Sequence, residues 1–340
     1  MKIDFIDSKQ DLKVGSYRIW IHDSVSELKL LGHNVEVHSN LEECRDDSVL
    51  VYSKGDYTSY QRLPSRIAGV INPSRDARAL RNFDFAIVGS IEEKLSIQSQ
   101  CKNVFVVNLI ESMYKNCAPK VHQEASELVI GYHGSHTHLG KLATQGFFEA
   151  FKQRINEGKK YKIVTLTSRP DMARNVLTEN GVPWDLQKNF PWTFETAQNV
   201  IKTFDVGIVP NATNALYIWP DSVKSVTNSI LGLYETDYLF RFKNKSNAGR
   251  IFVLVQMGIP VIADLTPSNM PMLFDEKCGS VIFDQASFYK ALDRFDSPDE
   301  RNKTAQLAKK RFDQLYNKKD DLQSMMNSLP QLTKTKLEKQ

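Results

Sequence analysis

The sequence predicts an α/β protein made of two Rossmann-like, doubly wound domains, and its length, composition and rhythm of elements carry that expectation. At 340 residues the chain exceeds the roughly 250 residues at which a single core stops growing, so two domains of similar size are expected. Hydrophobic residues at 41% and charged residues at 25% are ordinary globular values and exclude disordered and fibrous classes. Short apolar runs alternate with helical stretches from end to end, the pattern of parallel sheets with helices on both faces.

The elements follow in order. A strand at Ile3 to Ile6 leads through a loop, Gly15-Ser16-Tyr17-Arg18, into a helix reaching about Leu31, and Gly32-His33 turns the chain. Strands are expected at Val35 to His38, Val49 to Tyr52, Ile67 to Ile71, Phe85 to Val88 and Val104 to Val107, each a short apolar run bounded by turn residues. Residues 115 to 127 are polar, contain Pro119, lack a period and read as a linker. Leu128 to Tyr132 restarts the rhythm, followed by a small-residue loop and a helix at about Leu139 to Glu157. Further strands are expected at Lys162 to Leu166, Val206 to Val209, Val261 to Ala263 and Val281 to Phe283, with helices near 171–180, 195–203, 248–257, 286–294 and 298–317. The domain boundaries drawn from this are 1–122, 123–317 and a basic tail at 318–340. Two such units present their ligand loops, at the strand C-termini, on facing edges of a cleft.

No run of about 18 uncharged apolar residues exists, and Asp4 and Asp7 stand where a signal peptide needs an apolar core. The expected location is the cytoplasm. Cys44, Cys101, Cys117 and Cys278 lack paired spacing and read as reduced thiols rather than a disulfide frame or zinc site. Residues 301–340 hold ten Lys or Arg against four acids. That segment reads either as a solvated terminal helix with a loose end or as a peripheral contact with anionic lipid at the inner face of the cell membrane.

The segment Arg241 to Arg250 holds four cations, Arg241, Lys243, Lys245 and Arg250, ahead of an amphipathic helix, a glycine stop at Gly258 and a buried strand. A helix N-terminus offers unpaired N–H groups and partial positive charge, so Lys245, Arg250 and the backbone near Ser246 and Asn247 would seat a diphosphate. His133, His136 and His138 occupy or follow the loop after Leu128–Tyr132, with Ser135 and Lys141 nearby; polar ligand contacts are expected there rather than a metal, since no acidic or cysteine partner accompanies them. Phe147, Phe148 and Phe151 repeat at helical spacing and read as core. Tyr217, Trp219 and Tyr234 lie in a long insertion and read as its local packing.

Gln256-Met257-Gly258-Ile259-Pro260-Val261-Ile262-Ala263 resembles the helix-Gly-x-Pro-Val-strand element of family 4 glycosyltransferases and their GT-B relatives. Gly15 to Arg18 matches the position of their glycine-rich first loop, and Gly32-His33-Asn34-Val35 resembles their Gly-His-x-Val turn. Val129 to Ser135 resembles the strand and loop opening the donor domain, and Phe204 to Pro210 the Asp-x-Gly-strand-Pro element before the donor site. Their order spans the chain to about residue 300. Departures exist: the two family glutamates fall on Lys245 and Val253, and Ile71-Asn72-Pro73-Ser74-Arg75-Asp76 stands where the family has a histidine.

The resemblance implies a GT-B glycosyltransferase that moves a sugar from a nucleotide-sugar donor to a hydroxyl acceptor, hexosyltransferase-like and metal-independent, in cell-surface polysaccharide or glycoconjugate synthesis. Within that frame Lys245 and Arg250, cations at a helix start, are the candidates for stabilising the leaving phosphate. His133, Gly134, Ser135, Ser246, Asn247 and Pro210 are the donor candidates, and Gly15, Ser16, Arg18, Asn72 and Arg75, with Glu111 as a further cleft residue, the acceptor candidates by strand position; Arg18, Asn72, Arg75 and Glu111 read equally well as structural caps or salt-bridge partners. The acceptor is a glycan or lipid-linked; no cofactor, metal or nucleic acid is implied. The alternatives are a non-catalytic nucleotide-sugar-binding protein and a nucleotide-sugar epimerase or hydrolase.

Overall fold

The computed structural model describes residues 1–60, 66–73, 78–210 and 247–337. The chain divides into two compact units: Met1–Ser112 with Asn247–Gly249 and Tyr316–Gln340, and Met113–Ser246 with Arg250–Leu315.

The first unit carries six parallel strands, β1 (Lys2–Ile6), β2 (Asn34–His38), β3 (Val49–Tyr52), β4 (Ala68–Ile71), β5 (Phe85–Val88) and β6 (Val104–Val106), in the order β2-β1-β3-β4-β5-β6. Every residue of β3, β4 and β5 is buried, as strands covered on both faces must be. Because β2 and β3 flank β1 on opposite sides, the strand order reverses between β1 and β3. Helix α1 (Asp23–Leu30) is entered through a π-helical stretch at Ser16–His22. Gly15-Ser16-Tyr17-Arg18 is therefore no glycine-rich loop: Gly15, at φ −56°, is a right-handed N-cap that any residue could adopt. Helix α2 (Ile91–Ile97), absent from the expected elements, starts on Ser90, whose hydroxyl accepts the Glu93 N–H at 3.1 Å.

The second unit repeats the plan with β7 (Leu128–His133), β8 (Tyr161–Thr167), β9 (Gln187–Pro191), β10 (Val206–Val209), β11 (Val261–Ala263) and β12 (Ser280–Val281), all parallel in the order β12-β11-β10-β7-β8-β9. The reversal here lies between β7 and β10. The helix expected over 139–157 is broken: α3 (His136–Leu139) and a 3₁₀ stretch at Gly140–Gln145 precede α4 (Phe147–Asn156), with Gly146 left-handed at φ +75° between them. Phe147, Phe148 and Phe151 of α4 are core. Helices α5 (Pro170–Glu179), α6 (Phe194–Lys202), α7 (Gly249–Gln256), α8 (Met270–Leu273), α9 (Gln285–Phe295) and α10 (Pro298–Leu315) complete the unit.

Two segments behave unlike their sequence reading. The linker region is tied down inside the second unit: Lys120 N–H donates to the Met257 carbonyl at 2.9 Å, Asn302 bonds both backbone groups of His122, and His122 Nε2 donates to the Gly258 carbonyl at 2.9 Å. Gly258 is left-handed at φ +72°, and a Cβ on it would meet the Lys120 backbone nitrogen at 2.7 Å. The motif glycine is thus required by packing. The final residues form α11 (Lys318–Leu337), and Leu322, Met325, Met326 and Leu329 of that helix belong to the same core as Ile3, Phe5 and Leu28 in the first unit.

Candidate functional site

In the second unit four of the residues expected to bind the donor, His133, Gly134, Ser135 and Pro210, lie where the strand order reverses, at the carboxyl ends of β7 and β10. Ligands of open α/β sheets bind at this position. Strand β7 ends on His133, Gly134 and Ser135 follow, and Pro210 closes β10. Arg250, the second residue of α7, reaches across them: Nη2 donates to the Pro210 carbonyl at 2.8 Å, and the guanidinium carbon sits 5.9 Å from the Tyr132 ring centre. Tyr132, which the sequence reading passed over, donates its hydroxyl to the Ser135 carbonyl at 2.5 Å and accepts from Arg250 Nη1 at 3.5 Å. His133 Nε2 donates to the main-chain carbonyl of Arg250 at 3.0 Å. Burial, aided by the Arg250 charge, holds the imidazole down to about 4; it is a neutral donor near neutral pH.

Gly134 sits at φ +131°, outside the range that side chains tolerate, and a Cβ there would lie 3.0 Å from Arg250 Cδ. The loop is therefore shaped around the arginine. Asn247 is half-exposed, and its Oδ1 accepts the Gly249 N–H at 3.2 Å. Val253, on which the second family glutamate falls, is fully buried within α7, a position with no room for a solvated carboxylate. Lys245 and Ser246 lie outside the described residues, as do Arg241, Lys243, Arg75 and the insertion with Tyr217, Trp219 and Tyr234.

Asp205, of the Asp-x-Gly-strand-Pro segment, is structural. Its carboxylate accepts Lys120 Nζ at 2.8 Å and the Val129 N–H at 2.9 Å. Burial alone would raise its pKa, but His122, Lys120 and the Val129 N–H outweigh that and hold it at about 2.

The acceptor residues expected in the first unit separate into two groups. Ser16 and Asn72 line a cavity of about 420 Å³ at the carboxyl ends of β1, β3 and β4, which is the reversal point of that sheet. Arg18 instead is buried, with Nε and Nη2 on Glu111 Oε2 at 3.3 and 3.0 Å and Nη1 on the Leu12 carbonyl at 3.2 Å. Arg18 and Glu111 are thus a buried ion pair. The sequence reading missed Asp7, Ser53 and Asp56, which line the cavity; a polar residue immediately after a parallel strand is the signal that would have found them.

His136 and His138 belong, among the described residues, to no set of three potential metal ligands. Among the described residues the one such grouping is Asp4, His38 and Cys44, within 4.8 Å of one another. Asp4 there is engaged by Arg45 through both its oxygens, Oδ1 from Nε at 3.0 Å and Oδ2 from the backbone N–H at 2.8 Å, and burial pushes the Cys44 thiol up to about 11. Neither group is poised to take a cation.

Among the described residues no helix is long and apolar enough to cross a membrane. No protein-family model and no curated protein sequence matches the chain. Solved structures do. WaaG, a glycosyltransferase involved in lipopolysaccharide biosynthesis, superposes with a TM-score of 0.59 at 12% identity, covering 95% of this chain and 98% of its own. HepE from Anabaena, solved with UDP and glucose, gives 0.57 at 11% identity over 97% of this chain and 100% of its own. TarM gives 0.58 at 12% identity over 84% of this chain, which spans 55% of the length of TarM. The two six-stranded parallel sheets are those of the GT-B fold.

Proposed function

We propose that this chain is a glycosyltransferase that moves a sugar from a nucleotide-linked donor, held by the second unit, to a hydroxyl acceptor held by the first. One observation carries the reading: Arg250, at the start of α7, is fixed beside the His133–Gly134–Ser135 turn at the point where the second sheet reverses. Helix N-termini and guanidinium groups are the structures that seat phosphates, and HepE of the same fold was solved with UDP and glucose.

Glycosyl transfer builds positive charge on the anomeric carbon and negative charge on the departing phosphate. A cation and N–H groups already aimed at that phosphate stabilise its departure without reorganising during reaction. In this reading Arg250 and the first N–H groups of α7 receive the diphosphate, with Asn247 beside them. The Gly134 turn leaves room for it, and His133, a neutral donor, holds the α7 backbone. That arrangement supplies the charge through the protein itself, which is the basis for proposing metal-independent transfer. The first-unit cavity with Ser16 and Asn72 takes the acceptor. A lipid-linked saccharide as acceptor, and a peripheral contact of the net-basic segment 301–340 with an anionic bilayer, complete the proposal.

The deciding experiment incubates the chain with a panel of radiolabelled nucleotide sugars and mixed glycan and lipid-linked acceptors. A transferred label with release of free nucleotide is expected. Nucleotide-sugar binding with neither transfer nor epimerised or hydrolysed product would instead identify a binding protein, and co-sedimentation with anionic vesicles tests the membrane contact.

A further inference from the structure

The first-unit cavity has a chemistry of its own. Its buried wall combines Asp7, Ser53 and the Trp20 ring, with Asp56, Tyr17 and Asn72 half-buried around them. Both lysines on its lining, Lys9 and Lys54, are exposed. Among the described residues the wall therefore carries carboxylates and no buried cation, and the lysines lie on the rim.

Asp7 is 9% exposed. Its Oδ1 accepts the N–H groups of Lys9 and Gln10 at 3.1 and 2.8 Å, which turns the chain as it leaves β1. Among the described residues its Oδ2 has no hydrogen-bond donor. Asp56 is held differently, with Oδ2 accepting the Ser53 hydroxyl at 2.7 Å and the Ser8 N–H at 3.1 Å. Two residues next to or on this lining, Gln10 at φ +42° and Asn72 at φ +53°, are the non-glycine residues of left-handed conformation among the described ones. Such backbone is kept where the surroundings fix it for a purpose.

We infer that this cavity selects an uncharged sugar ring, with the Asp7 carboxylate accepting its hydroxyls, and discriminates against acceptors whose reacting ring carries a phosphate or carboxylate. The inference rests on the transferase reading above and names the acceptor class of its acceptor site. The Asp7 oxygen left open to the cavity accepts donors, and vicinal ring hydroxyls supply them in pairs. The Trp20 and Tyr17 rings offer an apolar surface to the C–H face of the same ring. An anionic ring would set like charges together in a partly desolvated space, which costs far more than in water. A phosphate attached farther along the acceptor would reach only the rim, where Lys9 and Lys54 are solvated and tolerate it.

Saturation-transfer NMR on the full chain, without nucleotide, reads this directly with glucose, galactose and N-acetylglucosamine against glucuronate, galacturonate and N-acetylglucosamine 6-phosphate. Neutral rings are expected to bind at least about tenfold more tightly than their anionic counterparts. Asp7→Asn keeps an oxygen for the Lys9 and Gln10 N–H groups but replaces the hydroxyl acceptor with a donor. It should weaken neutral-sugar binding about tenfold or more while leaving the UDP-induced thermal shift of the second unit unchanged. Asp56→Asn serves if Asp7→Asn fails to fold. Equal binding of the anionic rings, no binding of any neutral ring, or full neutral-ring affinity in the folded variant would overturn the inference. The two readings fail separately: neutral-ring binding through Asp7 without any transferred sugar sinks the transferase, whereas transfer to an anionic ring sinks the acceptor class.

Discussion

His133 and Arg250 hold each other from a strand end and a helix start: the imidazole Nε2 at the end of β7 donates to the main-chain carbonyl of Arg250 in the first turn of α7, at 3.0 Å. That bond fixes the backbone carrying the arginine while leaving the guanidinium to Pro210 and Tyr132. The sequence puts the two residues 117 positions apart, and only the parallel order β7-β10 brings them together.

The first prediction concerns acid. Burial depresses the His133 pKa to about 4 from an ordinary 6.5, so below pH 6.5 the unfolded chain binds a proton that the folded chain refuses. Stability is expected to be fully present above about pH 6.5 and to fall as pH drops toward 4, at a slope of up to about 1.4 kcal/mol per pH unit. Thermal unfolding followed from pH 7.5 to 4.5 checks this, and His133→Gln should flatten the slope in that window. A parallel wild-type and variant profile would refute it.

Gly134→Ala places a methyl group 3.0 Å from Arg250 Cδ and 3.3 Å from the Tyr132 hydroxyl at φ +131°. A backbone strain of about 1–3 kcal/mol is expected, together with displacement of the guanidinium. Chemical denaturation should show that loss, and nucleotide affinity should fall with it. An alanine variant of native stability and affinity would show that the turn is not fitted to the arginine.

Arg250→Ala should lower kcat/KM by about 10² to 10³, or about 2.7–4 kcal/mol of transition-state stabilisation, if the guanidinium meets the departing phosphate. Arg250→Lys should recover only part of this, because a point charge cannot reproduce the planar fork. Near-normal turnover by a folded alanine variant defeats the assignment.

Asp205→Asn should destabilise the second unit by about 1–3 kcal/mol, since it leaves Lys120 and His122 without their carboxylate. Because its folded pKa is lowered to about 2 from 3.8, the wild-type advantage should be complete above pH 4 and disappear as pH falls through 2. Denaturant midpoints at pH 3 and pH 7 separate the two; an advantage unchanged at pH 3 would contradict it.

Much of this fold was readable because parallel strands buried on both faces leave uninterrupted apolar runs, as in Val49-Leu50-Val51-Tyr52 and Phe85-Ala86-Ile87-Val88. Strand β9 escaped because Gln187-Lys188-Asn189 is polar: it lies at the sheet edge, paired only with β8. The docking of helix α11 escaped because its charge suggested a solvated helix with a loose end, whereas Leu322, Met325, Met326 and Leu329 fall at helical spacing and are core. Arg250 was legible from its place at a helix start, and Tyr132 was not, since a buried tyrosine in a strand looks like core until its hydroxyl is seen on the Ser135 carbonyl. Arg18 was open in the sequence for the converse reason. A loop cation reads equally as a ligand contact or a salt-bridge partner until Glu111 is found 93 residues away.

The return of α11 to the first unit sets the order in which the molecule can be finished during synthesis. The second unit draws on an almost unbroken stretch of chain and can consolidate as that stretch leaves the ribosome. The first cannot: Leu28 and Phe5 wait for Leu322 and Met326, which emerge only after the whole of the second unit. Nascent chains stopped before residue 318 should therefore present the N-terminal sheet with one apolar face uncovered, an open invitation to chaperones that the released protein no longer extends.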